Sequence, residues 1–185
     1  MRKIHAFENV TLDGFFTDHA NDMSWAHKQD EEFREFSSSN ARGDAELLFG
    51  RVTFDMMAAF WPTPEAANRL PEVAAAMNRM RKYVFSRSLG QAAWQNTTIV
   101  KGDLVAEASR LKREPGPDLV VMGSGSIVSQ LTQARLIDEY QLVLNPLVLG
   151  RGRTLFATVE DRLPLRLTQT RTFKNGNVVL WYSVA

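Results

Sequence analysis

The chain has 185 residues and a formal net charge of +1, from 22 basic and 21 acidic side chains. Hydrophobic residues make up 44% of it, enough for a sizeable core, so we expect a single domain spanning residues 1–185. The balanced charge argues against nucleic acid or an anionic membrane as a partner, and no apolar run approaches the roughly 18 residues of a membrane span. The chain has no cysteine, which excludes disulfides, thiolate catalysis and Cys-type zinc sites.

The N-terminal segment and the histidines bear on location and on metal binding. Residues 1–8 are too mixed and too short in apolar length for a signal peptide, and they predict the start of the first strand of a sheet. Because the chain also lacks cysteine, we expect a cytoplasmic protein. Three histidines lie close together in sequence without the spacing of paired metal ligands: His5, His19 and His27. We therefore expect them to be structural or solvated and predict no metal site.

Apolar periodicity predicts that strands and helices alternate up to about residue 137 and that only strands follow. The predicted strands lie near 2–9, 45–49, 82–86, 97–101 and 118–122, and the predicted helices near 29–39, 51–60, 66–80, 103–113 and 125–134. Strand-like segments follow at 140–148, 163–173 and 178–184, and prolines 62, 64 and 71 predict loops. The Asn-Gly pair within 174–177 predicts a hairpin, because it tolerates the positive φ of a tight turn. The pattern indicates an α/β sheet with an antiparallel C-terminal hairpin.

A glycine-rich turn follows the predicted strand at 118–122. Small residues interrupt the apolar run before helical spacing resumes: Gly123, Ser124, Gly125, Ser126, Ile127 and Val128. A buried parallel strand that ends in glycines and opens a helix presents free backbone N–H groups and a positive helix end, which suits a pyrophosphate. A plain tight turn is the alternative interpretation.

Two further predicted strands end in an arginine and hydroxyl residues, and strand C-termini are where open α/β sheets bind ligands. The residues concerned are Gly50, Arg51 and Thr53 after the first, and Ser86, Arg87 and Ser88 after the second. The planar guanidinium of arginine matches phosphate with two parallel hydrogen bonds. Either arginine alone is more simply a solvated surface charge. Two such strand ends together with the glycine turn favour a phosphate-rich cofactor.

The order and spacing of these motifs resemble the dihydrofolate reductase-like family, and within it the reductases similar to the C-terminal domain of the bacterial riboflavin-biosynthesis deaminase/reductase. The resemblance covers nearly the whole chain and also rests on 10–16 and 136–150. It implies a three-layer fold with a mostly parallel central sheet, and NADPH as the cofactor. It further implies that 50–53 and 86–88 hold the adenosine 2′-phosphate and that 123–128 hold the pyrophosphate. Cationic groups at the first two positions agree with NADPH, since sites for NADH typically carry an acid there.

The same resemblance implies substrate-binding residues. Asp13 and Gly14 lie in a loop that passes over the nicotinamide and the substrate in the family, and Trp25 follows that loop. The spacing from Trp25 to Asp30 matches the tryptophan-to-acid spacing of dihydrofolate reductases, so Asp30 is the candidate proton donor, a role that burial assists by raising a carboxyl pKa. The alternative, which the acidic run 30–32 favours, is that Asp30 caps a helix. Gly150 matches a loop that borders the active site in the flavin-pathway relatives.

The resulting hypothesis is an NADPH-dependent reductase that transfers hydride to a small heterocyclic or imine substrate, of the 5-amino-6-(5-phosphoribosylamino)uracil reductase type. Two alternatives stay open: a dihydrofolate or pterin reductase, and a protein of this fold that acts on an unrelated substrate or only binds nucleotide. The apolar C-terminal strands, which include Trp181 and Tyr182, and the likeness to dimeric relatives predict a homodimer.

Overall fold

The computed structural model describes residues 1–27 and 30–185, and of His27 the backbone only. The expected start of the first helix at residue 29 and the expected role of the His27 side chain lie outside the described residues. The strands are β1 Ile4–Thr11, β2 Phe15–Thr17, β3 Ala45–Gly50, β4 Lys82–Phe85, β5 Thr97–Val100, β6 Asp118–Val121, β7 Glu139–Asn145, β8 Arg153–Thr154, β9 Leu165–Thr172 and β10 Val178–Val184. The α-helices are α1 Glu31–Ala41, α2 Arg51–Phe60, α3 Pro64–Arg69, α4 Pro71–Arg79, α5 Leu104–Arg113 and α6 Gly125–Gln133, and a short 3₁₀ helix covers Ser24–His27.

Eight strands form one sheet in the order β5-β4-β3-β6-β1-β7-β10-β9. The first six are parallel, whereas β10 pairs antiparallel with both β7 and β9. At the β9–β10 hairpin the Phe173 N–H donates to the Asn177 carbonyl over 2.9 Å, and Gly176 has a φ of +88°. The predicted α/β fold, with a mostly parallel sheet and an antiparallel C-terminal hairpin, is confirmed.

Helices cover both faces of this sheet. Successive side chains of a strand point to opposite faces, so Leu48 of β3 packs in the cluster of α5 and α6, while Leu47 and Phe49 pack in a second cluster with α2 and α4. A third cluster joins the Phe33 side chain of α1 to β7 and β10. None of the helices in the described residues is long and apolar enough to cross a bilayer.

The prediction of one helix over 66–80 is wrong, as is the assignment of two prolines to loops. Pro64 and Pro71 are the first residues of α3 and α4, and Leu70 between those helices has φ −142° and ψ 65°. Proline lacks the N–H that would continue a helix from the preceding turn, but its fixed φ suits the first position of a new one. The strands β2 and β8, which pair with each other, were not predicted because three and two residues are too few to show a period.

A buried ion pair holds the edge of the sheet at which the strands begin. Arg2 Nη1 lies 2.6 Å from Glu46 Oε2, and the Tyr83 hydroxyl donates to the same oxygen over 3.1 Å. The Arg2 Nε also donates to the Leu111 carbonyl of α5. A recess of about 650 Å³ opens beside this pair and is lined in part by Arg79. These contacts lie at the opposite edge from the strand C-termini, so they stabilise the sheet away from the predicted cofactor site.

Candidate functional site

The turns that follow β3, β4 and β6 meet at one edge of the sheet. In the parallel register Gly50 is level with Phe85, and Leu48 is level with Val121, so the chain leaves the three strands at nearly the same height. The Gly50 N–H donates to the carbonyl of Gly123 over 3.1 Å. The structure thereby brings together the predicted cofactor segments 50–53, 86–88 and 123–126.

Glycines are required where these turns touch. A Cβ on Gly50 would lie 2.4 Å from Ser124 Oγ, and one on Gly125 would lie 2.3 Å from the Phe16 ring. Gly123 has a φ of +93°, and a Cβ there would lie 2.9 Å from Thr53 Oγ1. The glycines therefore allow close packing of the two turns and of β2, whether or not a ligand binds.

The helices that begin at this edge have open N-termini. Gly50 and Ser124 precede α2 and α6 without a side-chain cap, whereas Asp30, Thr63 and Asp103 cap α1, α3 and α5. The first N–H groups of a helix have no partner within it, and an anion satisfies them well. Although α2 and α6 lie on opposite faces of the sheet, their first turns meet at its end through Gly50 and Gly123, and both offer unfilled donors there.

Cationic and hydroxyl side chains follow the C-terminal ends of β3 and β4, at the same end of the sheet as these donors. The Arg51 side chain is half-exposed, with Nη1 3.7 Å from Asp55 of the next turn, and Arg87 and Ser88 are exposed. Ser86 Oγ accepts from the Leu89 N–H over 3.0 Å. Guanidinium, hydroxyl and amide groups are the donors that phosphate prefers, so the residues present fit the phosphates of a dinucleotide.

Ile127 and Val128 contribute differently from the rest of the predicted pyrophosphate segment. Their side chains lie in the core, 6% and 0% exposed, and their N–H groups donate to the Ser124 carbonyl. They anchor the first turn of α6 in the core. Ser126 is exposed, and its hydroxyl lies 2.9 Å from Ser124 Oγ. The open donors of this turn thus belong to its first residues.

Two of the predicted substrate residues are joined by hydrogen bonds. Asp13 Oδ2 accepts from the Gly150 N–H over 2.7 Å and from the Leu149 N–H over 3.1 Å. The Thr11 hydroxyl donates to Asp13 Oδ1 over 2.6 Å, and this bond, with those from the two amides, holds the pKa of Asp13 below its usual range. Both of the loops that these bonds join contain a glycine with a positive φ: Gly14 has a φ of +85° and Gly150 a φ of +74°. We call this set of bonds the Asp13 clasp; it fixes two loops at the end of β1 and β7.

Asp30 is engaged as a helix cap. Its Oδ1 accepts from the Phe33 N–H over 2.8 Å at the start of α1, as the alternative interpretation expected. Trp25 lies half-buried in the 3₁₀ helix, and its buried Nε1 has no hydrogen-bond partner in residues 1–27 and 30–185. The proton-donor role of Asp30 stays a prediction.

A buried acid that the sequence analysis did not single out lies in β1. Glu8 is only 7% exposed, and among the described residues its Oε1 has no hydrogen-bond partner. Burial raises the pKa of Glu8 to about 8. A usable signal was present: Glu8 occupies the even-numbered face of the strand, on which Ile4, Ala6 and Val10 are all apolar.

The chain is similar to known proteins along nearly its whole length. The family model described as the RibD C-terminal domain matches residues 2–179. The chain belongs to the RibD C-terminal domain family. The uncharacterized protein YyaP of Bacillus subtilis strain 168 is 31% identical to this chain over 174 residues, which cover 94% of this chain and 90% of YyaP.

Several solved structures have the same fold as this member of the RibD C-terminal domain family. A putative riboflavin biosynthesis protein from Shewanella sp. PV-4 superposes with a TM-score of 0.74 at 22% identity over 99% of both chains. The TM-score is 0.70 for a protein from Thermotoga maritima, a diaminohydroxyphosphoribosylaminopyrimidine deaminase/5-amino-6-(5-phosphoribosylamino)uracil reductase. The two are 16% identical, and the match covers all of this chain and 57% of that one. Dihydrofolate reductase from Enterococcus faecalis, complexed with NADP(H) and RAB-propyl, superposes with a TM-score of 0.66 at 14% identity. The match covers 98% of this chain and 96% of that one. At these identities the likeness shows the dihydrofolate reductase-like fold.

Proposed function

We propose that the protein is an NADPH-dependent reductase that transfers hydride to a small nitrogen heterocycle or imine, of the 5-amino-6-(5-phosphoribosylamino)uracil reductase type. The observation that carries the proposal is the meeting of 50–53, 86–88 and 123–126 at one sheet edge, beside two uncapped helix N-termini. Membership of the RibD C-terminal domain family and the similarity to an NADP(H)-bound reductase add support.

Each part of the edge has a role in this proposal. Arg51 and Arg87 bind the 2′-phosphate, which distinguishes NADPH from NADH, and the first N–H groups of α6 bind the pyrophosphate. When bound, NADPH supplies the hydride. The protein contributes chiefly by positioning: the Asp13 clasp holds the loops over the reacting rings and keeps water out.

Dihydrofolate or another pterin is the second candidate substrate. The spacing of Trp25 to Asp30 and the likeness to dihydrofolate reductase favour it. Two observations weigh against it. Asp30 Oδ1 is already used in capping α1, and Val143, which by our alignment takes the place of the threonine beside the acid in those enzymes, is fully buried. We therefore favour a substrate of the 5-amino-6-(5-phosphoribosylamino)uracil type over dihydrofolate.

The test is a binding titration followed by turnover. Fluorescence titration should give tighter binding of NADPH than of NADH, because two arginines converge on the 2′-phosphate. NADPH oxidation is then followed at one protein concentration with 5-amino-6-(5-phosphoribosylamino)uracil, dihydrofolate and a set of simple cyclic imines. Reduction of the first alone supports the main proposal and reduction of dihydrofolate the second. Binding without turnover of any acceptor leaves a nucleotide-binding module.

A further inference from the structure

Glu8 is a buried acidic residue in the middle of β1, where burial of its carboxyl group is unfavourable for folding. It shares its face of β1 with Ala6 and Val10, which pack in the core cluster of α5 and α6. Its carboxyl Oε1 is buried without a hydrogen-bond partner in the described part of the chain. Burying a carboxylate in this way is strongly unfavourable, and an unsatisfied polar group in a core calls for a reason.

The position of Glu8 along β1 supplies one. β1 pairs with β6 only over Ile4–Ala6, whereas its pairing with β7 continues to Thr11. β6 ends at Val121, level with Ala6, and the chain turns away into α6. Glu8 is therefore two residues past the last β1–β6 pair, where β1 borders the glycine turn. Open α/β sheets bind ligands outside the C-terminal ends of their strands, and Glu8 lies at that end of the β1–β6 pair.

The surroundings of Glu8 leave its acid group uncharged near neutral pH. Neither α6 nor β2 carries a charged side chain, and Leu142 lies directly opposite on β7. Tyr140 is the titratable group on the same face of β7, and its hydroxyl donates to Thr132 Oγ1 over 2.9 Å. Desolvation alone therefore raises the pKa of Glu8, to about 8. A neutral carboxylic acid has one O–H to donate.

We propose that Glu8 is the acid of this site: its carboxyl donates a hydrogen bond to the bound acceptor and supplies the proton that accompanies the hydride. The inference rests on the proposed reductase function. For a C=N acceptor, bound NADPH would supply the hydride to carbon and become NADP⁺; as the π pair moves to nitrogen, the O–H bond of Glu8 breaks and its proton passes to that nitrogen. The resulting buried carboxylate regains a proton from solvent before the next turnover.

The first experiment needs neither cofactor nor substrate. An unfolded glutamate releases its proton near 4.5, whereas folded Glu8 holds its proton to about 8, so unfolding releases a proton between these values. The free energy of unfolding of the wild type should therefore fall as the pH rises through this window. In Glu8→Gln that fall should be reduced. The matched control is Glu35→Gln at an exposed position of α1, which should keep the wild-type dependence of the free energy of unfolding on pH.

The second experiment uses NADPH with the acceptor that the wild type reduces, taken from 5-amino-6-(5-phosphoribosylamino)uracil, dihydrofolate and the cyclic imines. Glu8→Gln should lower kcat about 100-fold or more, the range for loss of a general acid, with little change in the Kd for NADPH. The fall of wild-type kcat at alkaline pH should disappear in the variant. Glu8→Asp, which keeps an acid of shorter reach, should recover part of the kcat.

The outcomes separate this inference from the function on which it rests. If the wild type binds no NADPH or reduces no acceptor, the proposed function fails and the role of Glu8 fails with it. If the wild type turns over and Glu8→Gln matches it in kcat and pH profile, the reductase proposal stands and Glu8 is a buried structural acid. A wild-type stability curve identical to that of Glu8→Gln overturns the inference as well, because Glu8 is then not held protonated.

Discussion

The Gly50 amide donates to the carbonyl of Gly123 across 3.1 Å, which joins the turn that precedes α2 to the turn that precedes α6. Two turns that lie 73 residues apart in the sequence thereby form one continuous surface, which includes the N-termini of both helices. The cofactor proposal predicts that charges beside this junction act on the cofactor phosphates and hardly on the fold.

Replacing Arg51 with alanine should weaken NADPH binding by about 1–3 kcal/mol and leave NADH binding nearly unchanged, because a charge-assisted contact to the 2′-phosphate is lost. Isothermal titration with both nucleotides measures the difference. Arg69→Ala is a matched control, since Arg69 is an exposed helix arginine paired four residues away with Glu65, as Arg51 is with Asp55. An equal loss for both nucleotides on Arg51→Ala would remove the arginine from 2′-phosphate recognition.

Asp30 can be tested by two substitutions that treat its roles differently. Asp30→Ala should lower the free energy of unfolding by about 1 kcal/mol, because the bond to the Phe33 N–H is lost, whereas Asp30→Asn should cost little, since asparagine caps almost as well. Chemical denaturation measures both. The asparagine variant then decides the mechanism: a sharp drop in turnover, with a flattened acid limb of the pH profile, would make Asp30 the proton donor in place of Glu8.

The Asp13 clasp should open in acid. Because the folded pKa of Asp13 lies below the usual value of 3.8, its contribution is complete above that value and is lost as the pH falls through the lowered pKa. Hydrogen exchange at the Leu149 and Gly150 amides should accelerate in that range, and in Asp13→Ala at every pH. Asp18→Ala serves as the control, since Asp18 accepts from amides of its own loop, Ala20 and Asp22. Unchanged protection in Asp13→Ala would show that the loops hold without the clasp.

We also expect a homodimer that forms through the C-terminal strands. The edge strand β9 is exposed along nearly its whole length, and Leu167, which is 49% exposed, lies opposite the half-buried Tyr182. An open strand edge with apolar side chains invites pairing with a second copy. Light scattering at micromolar concentration should give twice the chain mass, and Leu167→Lys should reduce it. Val148→Lys, at an exposed residue in a loop, is the control; a monomeric wild type contradicts the expectation.

Local sequence was sufficient where each element carries its own signal. The bounds of α2 follow from the apolar run that ends at Gly50, and the β9–β10 hairpin follows from its Asn-Gly pair. The break between α3 and α4 was misread because the apolar period continues across Pro71, although proline begins a new helix there. In the candidate site, the three motifs are visible in the local sequence, as apolar runs that end in glycine, arginine or hydroxyl residues, but their contact depends on the parallel register of β3, β4 and β6.

Glu8 escaped prediction for a different reason. A single glutamate in an otherwise alternating strand resembles a polar residue at a sheet edge, and only the packing of α6 and β7, more than a hundred residues later, buries it. Asp30 drew attention instead because it stands in a recognisable spacing to Trp25. The apolar residues 4, 6 and 10 indicate which face of the strand carries Glu8, but the extent of its desolvation depends on the assembled core.

The Asp13 clasp joins 11–13 to 149–150, and none of its bonds reaches the turns at Gly50 or Gly123. The end of the loop at Gly152 packs on β2, whose Phe16 ring in turn contacts Gly125, so only residues 146–151 can vary without disturbing the turn that is proposed to bind the pyrophosphate, provided that the amides of Leu149 and Gly150 still meet the carboxylate. On the proposed function, a chain built in this way would acquire a new acceptor through changes in residues 146–151 while NADPH stays the cofactor. Grafting that loop from a relative of known substrate is thus a direct route to redirecting the chemistry.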